Sequence, residues 1–230
     1  MKTLGLIGGL SWYSTSVYYK TINQLVNQRL EGSHSAKILL YSIDFEEFKT
    51  IQERKAWNEL EIMMTEIAQR LEKSGADCIM ICSVTPHLIA DNMRKNINIP
   101  LIHIAEETAK EIVKTSSSKV GLLGTKFTME NSFFKNKLTQ AGIETLIPHE
   151  EDRDFIHASI FNELTKGEFR DETKQRYLQI IEEMRNHGAE GVIFGCTEIS
   201  FLIQQPDCSI RIFDTTDIHA RAAVDFALAK

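Results

Sequence analysis

Two stretches of this chain end an apolar run on side chains that can hold or pass a proton. One reads Cys78-Ile79-Met80-Ile81-Cys82-Ser83-Val84-Thr85, the other Val192-Ile193-Phe194-Gly195-Cys196-Thr197-Glu198. A thiol titrates near pH ~8.5, and donors at a helix start lower that value. Glu198-Ile199-Ser200-Phe201-Leu202 opens the next segment, which places Cys196 near a predicted helix start. With a threonine and a carboxylate beside it, Cys196 is a candidate acid or base. A packed core thiol is the alternative fate of a lone cysteine.

The other reactive residue types carry weaker patterns. Gly8-Gly9-Leu10-Ser11 follows an apolar run but is neither G-x-G-x-x-G nor a P-loop. A tight turn is expected there, with a backbone nest for a carboxylate as the functional alternative. His87 and His103 follow apolar runs, and His219 opens the predicted last helix; each reads as a structural histidine. Ser83, His87 and Asp91 lie on one short segment, and no G-x-S-x-G elbow is present, which argues against a hydrolase. Cys78 and Cys82 are spaced C-x3-C without a second pair, so no metal site is expected. No lysine sits in a phosphate-cradling Gly-rich context, so pyridoxal phosphate is not expected either.

Strands and helices must alternate to carry these residues. Leu4–Ile7, Ile38–Ile43, Cys78–Cys82, Leu101–Ile104, Val120–Leu123, Val192–Phe194 and Ile210–Phe213 are apolar runs of strand length. Continuous runs of this kind fit strands buried on both faces of a parallel sheet. Amphipathic spacing predicts helices over Thr15–Leu30, Ala56–Ser74, Ala105–Thr115, Glu130–Ala141, Arg153–Lys166 and Glu172–His187. The alternation predicts an α/β fold.

The chain also repeats itself. Gly75-Ala76-Asp77-Cys78-Ile79-Met80-Ile81-Cys82-Ser83 is similar to Gly188-Ala189-Glu190-Gly191-Val192-Ile193-Phe194-Gly195-Cys196, an offset of 113 residues (75 to 188). Leu4-Gly5-Leu6-Ile7-Gly8 is similar to Val120-Gly121-Leu122-Leu123-Gly124 at an offset of 116 (5 to 121). Two similar α/β subdomains follow, with an interdomain cleft as the expected small-molecule site. Residues 1–104 plus 208–230 are assigned to the first and 105–207 to the second. The offset pairs Ser83, not Cys82, with Cys196. Cys82 is then one residue out of register, on the opposite strand face, and reads as a core thiol.

Composition narrows the class. The 230 residues carry a net charge of -6, with 43% hydrophobic and 25% charged side chains, and the pI is about 5.7. This is a globular composition without the basic face that nucleic acid or an anionic membrane would require. No 18-residue apolar window is present, so no membrane span is expected. Four scattered cysteines and no leader-like start give the expectation of a cytoplasmic protein with reduced thiols.

The residues now assembled resemble the aspartate/glutamate racemase family, in its branch of cofactor-independent amino-acid racemases. Gly5-Leu6-Ile7-Gly8-Gly9-Leu10-Ser11-Trp12-Tyr13-Ser14-Thr15 is similar to that branch's G-x-x-G-G-M-S-W-E-S-T opening. Gly195-Cys196-Thr197-Glu198 matches its second-half motif, and the resemblance runs over essentially the whole chain. It implies two α/β subdomains with parallel sheets related by pseudo-twofold symmetry, an active site in the cleft between them, and a homodimer. It also implies proton transfer at the α-carbon of a small-molecule amino-acid substrate, with one thiol on each face and no cofactor.

Cys196 matches the second thiol. Thr85 and His87 align with the first-half motif C-N-T-x-H, which puts Ser83 at the first thiol's place and Val84 at the asparagine's. The resemblance further implies that Leu10, Gln52, Val84, Thr85, Thr197 and Glu198 line the substrate pocket. It places Lys166 near a basic residue for a distal carboxylate, with Arg54 and Lys49 as weaker candidates. The alternatives are another isomerase of this fold, of hydantoin racemase or maleate isomerase type, or a binding homologue that has lost catalysis.

Overall fold

Strands of two to five residues, too short to stand alone, are stabilised here by pairing in parallel and by helices on both faces. The computed structural model describes residues 1–229. The strands are β1 (Leu4–Gly8), β2 (Ile38–Ser42), β3 (Cys78–Ile81), β4 (Leu101–Ile102), β5 (Lys119–Leu123), β6 (Glu144–Leu146), β7 (Gly191–Phe194) and β8 (Arg211–Asp214). The α-helices are α1 (Trp12–Leu30), α2 (Phe45–Glu53), α3 (Trp57–Lys73), α4 (Ala90–Met93), α5 (Ile104–Val113), α6 (Lys126–Glu130), α7 (Ser132–Gln140), α8 (Glu150–Asn162), α9 (Asp171–Asn186), α10 (Ile199–Leu202) and α11 (Thr215–Leu228). Two four-stranded parallel sheets result, ordered β2-β1-β3-β4 and β6-β5-β7-β8.

The first unit comprises Met1–Ile104 and resumes at His219. Its sheet sorts side chains by the period of two. Ile7, Ile79 and Ile81 face one core with Leu60, Met64 and Ile67 of α3. Leu4, Leu6, Cys78, Met80 and Cys82 face the other core, with Tyr18, Ile22 and Val26 of α1 and Ala220, Ala223 and Val224 of α11.

The second unit is Ala105–Ile218. Leu123, Val192 and Phe194 pack there against Ile156 and Ile160 of α8 and Tyr177, Ile180 and Ile181 of α9. The chain returns to the first unit at 219 rather than 208, because β8 pairs with β7: Val192 aligns with Ile212 and Phe194 with Asp214. Residues 208–218 therefore belong to the second unit.

The repeated sequence is a repeated register. β1 and β3 align Ile7 with Ile81, and β5 and β7 align Leu123 with Phe194. One step further the backbone repeats as well. The Cys82 amide donates to the Ile7 carbonyl at 2.9 Å, and the Gly195 amide donates to the Leu123 carbonyl at 2.7 Å. The residues that follow are Ser83 and Cys196.

Some elements differ from the sequence reading. β6 is three residues long and half-buried, so it lacks the apolar run that marks the other strands. α2 was not expected, although Asp44 caps it by accepting from the Glu46 amide at 3.1 Å. The helix expected over 130–141 is broken at Asn131, whose backbone is extended. His219 lies inside α11 instead of opening it, since that helix begins at Thr215. No helix among the described residues is long and apolar enough to cross a membrane.

Candidate functional site

Cys196 follows β7 in a turn, and part of its surface remains accessible. Its thiol donates to the Glu198 carboxylate at 2.9 Å. Burial pushes the thiol well above its ordinary range, and the Glu198 charge and hydrogen bond push it further, while the Glu198 amide opposes them. This reverses the expectation of a thiol acidified at a helix start. α10 has only four residues, and the carboxylate of its N-cap residue Glu198, which bonds the thiol and makes no capping bond to the helix, outweighs its dipole. The turn is held from α11: Thr197 and Thr216 hydroxyls meet at 3.0 Å, and the Thr215 hydroxyl donates to the Phe194 carbonyl at 2.8 Å. Cys196, Thr197 and Glu198 thus share one rigid strand-end turn.

Ser83, Val84 and Thr85 share the corresponding turn after β3. Ser83 and Thr85 are half-buried, while the Val84 side chain is buried at 8% exposure. His87 does not serve as a base for the Ser83 hydroxyl. Its Nε2 accepts the Ile104 amide at 3.3 Å, so Nδ1 carries the proton and donates to the Ser83 carbonyl at 2.9 Å. Burial, with His103 and His219 nearby, holds His87 well below its ordinary pKa, so it is neutral. A Ser83-His87-Asp91 triad is therefore excluded. Cys82 is fully buried on the opposite strand face, and burial raises its thiol.

The opening motif is a turn rather than an anion nest. Gly9 has φ 80°, and a Cβ there would lie 2.0 Å from the Ile43 carbonyl oxygen. Its amide is used by Thr15, whose hydroxyl accepts it at 2.9 Å. Ser11, at φ 101°, is strained in the left-handed region and caps α1. Leu10 is buried in the same core as Ile51, and Gln52 follows on α2, half-buried.

The basic candidates are less engaged with these turns. Lys166 is exposed at the end of the 3-10 turn Leu164–Lys166, and no hydrogen bond or ion pair joins it to Cys196, Thr197 or Glu198. Arg54 is spent on Glu59, with both carboxylate oxygens at 3.1 Å, and Lys49 lies between Glu46 and Glu53 at 3.9 and 3.8 Å. Among the described residues, no group of three or more His, Cys, Asp or Glu side chains is arranged to hold a metal ion. Ser14, Tyr18, Thr215 and Thr216 support the turns, a role the sequence does not assign them. A hydroxyl that bonds a backbone carbonyl, as in Ser14 and Thr215, or a distant side chain, as in Tyr18 and Thr216, has no sequence signature of its own.

Comparison with known proteins agrees with the fold and gives the family. The family described as Asp/Glu/Hydantoin racemase matches residues 7–223. A candidate Asp/Glu racemase from Yersinia pestis is 43% identical, with a TM-score of 0.96 and full coverage of both chains. An aspartate racemase homologue from Pyrococcus horikoshii OT3 is 34% identical, with a TM-score of 0.90 and full coverage of both. The broad specificity amino-acid racemase RacX of Bacillus subtilis is 26% identical over 162 residues, 70% of each chain.

Proposed function

Because this chain belongs to the Asp/Glu/hydantoin racemase family, we propose that it racemises or epimerises a free amino acid by proton transfer at the α-carbon. The observation that carries the reading is the Cys196 thiol at a strand end, hydrogen-bonded to Glu198 at 2.9 Å. In this reading Glu198 takes the thiol proton, and the Cys196 thiolate then takes the α-proton. The carbanion is reprotonated on its other face from the Ser83 hydroxyl, a water replenishes that hydroxyl, and the hydroxide so formed takes up the proton held on Glu198. Each half-reaction conserves protons and needs no electron carrier. A thiolate formed only as Glu198 accepts its proton is a stronger base than one already ionised at rest.

Thr85 and Thr197 are assigned to the substrate head group, with Leu10, Gln52 and Val84 shaping the pocket. Lys166 is assigned to a distal carboxylate of an Asp- or Glu-like substrate. Neither pyridoxal phosphate nor metal takes part, and the working form is a cytoplasmic homodimer. Buried Val84 favours a second reading, a binding homologue without catalysis, because its isopropyl group offers a head group no hydrogen bond. The test is α-deuterium incorporation in deuterium oxide, screened by NMR over L- and D-amino acids. Exchange that disappears in Cys196→Ala supports the racemase. Tight binding of an amino acid without exchange supports the second reading.

A further inference from the structure

Ser83 lies between two peptide planes that are each tied down by a side chain. The Ser14 hydroxyl on α1 donates to the Cys82 carbonyl at 3.2 Å, and His87 Nδ1–H donates to the Ser83 carbonyl at 2.9 Å. Peptide units are planar, so fixing two successive carbonyls fixes both backbone dihedrals of the residue between them. The direction of the Ser83 Cα–Cβ bond follows.

The clamps are themselves held. The Ile104 amide donates to His87 Nε2 at 3.3 Å, which stops the ring from turning. Ile104 follows β4, and the Ile102 carbonyl accepts from His219 Nε2–H at 2.8 Å. That leaves His219 Nδ1 to accept the Tyr18 hydroxyl at 3.0 Å. Tyr18 and Ser14 are one turn apart on α1, so the network closes on itself. The His87 ring also packs edge-on against His103 at 4.7 Å and His219 at 5.6 Å. The Cys196 turn is held differently: the Thr215 hydroxyl takes the Phe194 carbonyl, two residues before Cys196. The repeat places Ser200 at the position of His87; its buried hydroxyl makes no hydrogen bond, and the Cys196 carbonyl accepts the Ile199 amide instead.

We propose that His87 is a positioning residue for Ser83, acting through the Ser83 carbonyl within the network of Ser14, Tyr18, Ile102, Ile104 and His219. The role of Ser83 in reprotonation rests on the racemase reading; the positioning itself does not. A side chain aimed by two clamps moves when one is cut, and a displacement near 1 Å costs a reaction up to about a hundredfold.

The test compares wild type with His87→Leu, which removes the donor, and His87→Asn, whose amide nitrogen stands near the place of Nδ1. The first measurement is α-deuterium exchange from each pure enantiomer. His87→Leu is expected to slow the direction that depends on Ser83 about tenfold or more and the Cys196-dependent direction less than about threefold, with His87→Asn recovering the loss. The second measurement needs no substrate: iodoacetamide labelling of residue 83 in a Ser83→Cys background, resolved by peptide mass. His87→Leu is expected to change that rate about tenfold and His87→Asn less than about threefold. Labelling at 83 that ignores His87, or that changes equally in both variants, overturns the proposal. So does equal slowing of both exchange directions. If no amino acid exchanges with the wild type, the racemase reading fails and the labelling alone decides the positioning role.

Discussion

The Cys196 thiol donates to the Glu198 carboxylate at 2.9 Å, so the residue best placed to act as a base holds its proton at rest. The same carboxylate that suppresses the thiolate is the group that can receive the proton. Glu198→Gln therefore has two effects of opposite sign. Removing the charge lowers the raised thiol pKa, so iodoacetamide labels Cys196 faster at pH 7. Removing the acceptor slows α-deuterium exchange about a hundredfold, the usual size of a lost general base. Slower labelling together with slower exchange would contradict the proposed proton path.

Buried Cys82 and partly accessible Cys196 separate by register. Cys196→Ala should abolish exchange from both enantiomers and leave the fold intact. Cys82→Ala should leave exchange within about twofold and cost about 1–2 kcal/mol in a urea melt, because a fully buried thiol is replaced by a small void. Loss of exchange on truncating Cys82 would move the catalytic register by one residue.

Much of this was legible from two glycine-flanked apolar runs. The matching offsets in sequence became matching hydrogen bonds at Cys82 and Gly195, so the equivalence of Ser83 and Cys196 needed no coordinates. The direction of the Cys196 titration was not legible. Sequence proximity suggested a helix start, whereas the side-chain rotamer that points the thiol at Glu198 is a product of packing. The return of the chain at 219 was missed because Arg211-Ile212-Phe213-Asp214 looks alike whichever sheet it joins; only the pairing of β8 with β7 decides it. The histidine network was invisible for the same reason. Its members lie at 87, 103 and 219, and nothing in their spacing brings them together.

Gly9 should tolerate no side chain. Its φ is 80°, and a Cβ would meet Ile43 backbone atoms at 2.0 and 2.4 Å. Backbone neither rotates away nor compresses, so Gly9→Ala is expected to cost about 3 kcal/mol or more in a urea melt. A cost below about 1 kcal/mol would mean that the β1–α1 turn is softer than its contacts imply.

Acid should weaken the first unit through its neutral histidines. Burial lowers His219 to about 4 and His87 well below 6.5; His103, the Tyr18 hydroxyl, the Ile102 and Ser83 carbonyls and the Ile104 amide face them. The unfolded chain takes up protons near pH 6.5 while the folded chain does not, so stability rises with pH across this window. It is complete above about pH 6.5 and falls progressively toward pH 4, by about 3 kcal/mol for His219 alone. His219→Gln, which keeps a donor near Nε2, should flatten the slope of stability between pH 6.5 and 4.5 by nearly one proton. The same slope in wild type and variant would show that the ring is protonated in the folded protein.

The two faces of the reaction should be unequal. Ser83 stands where its counterpart in the second unit is a thiol, and a hydroxyl is a far weaker acid that passes a proton only with help from water or a neighbour. Cys196 has Glu198 to take its proton, whereas the hydrogen bond from His87 reaches only the Ser83 carbonyl. The enantiomer whose α-hydrogen meets Cys196 should therefore exchange faster in deuterium oxide. Ser83→Cys should speed the slow direction by about tenfold or more, since a thiol replaces the hydroxyl on the clamped turn. If buried Val84 leaves the head group badly held, the single change falls short and Ser83→Cys with Val84→Asn succeeds, because the amide restores a donor and an acceptor. Equal exchange from both enantiomers of the wild type, or a slow direction indifferent to the double change, would remove Ser83 from the reaction.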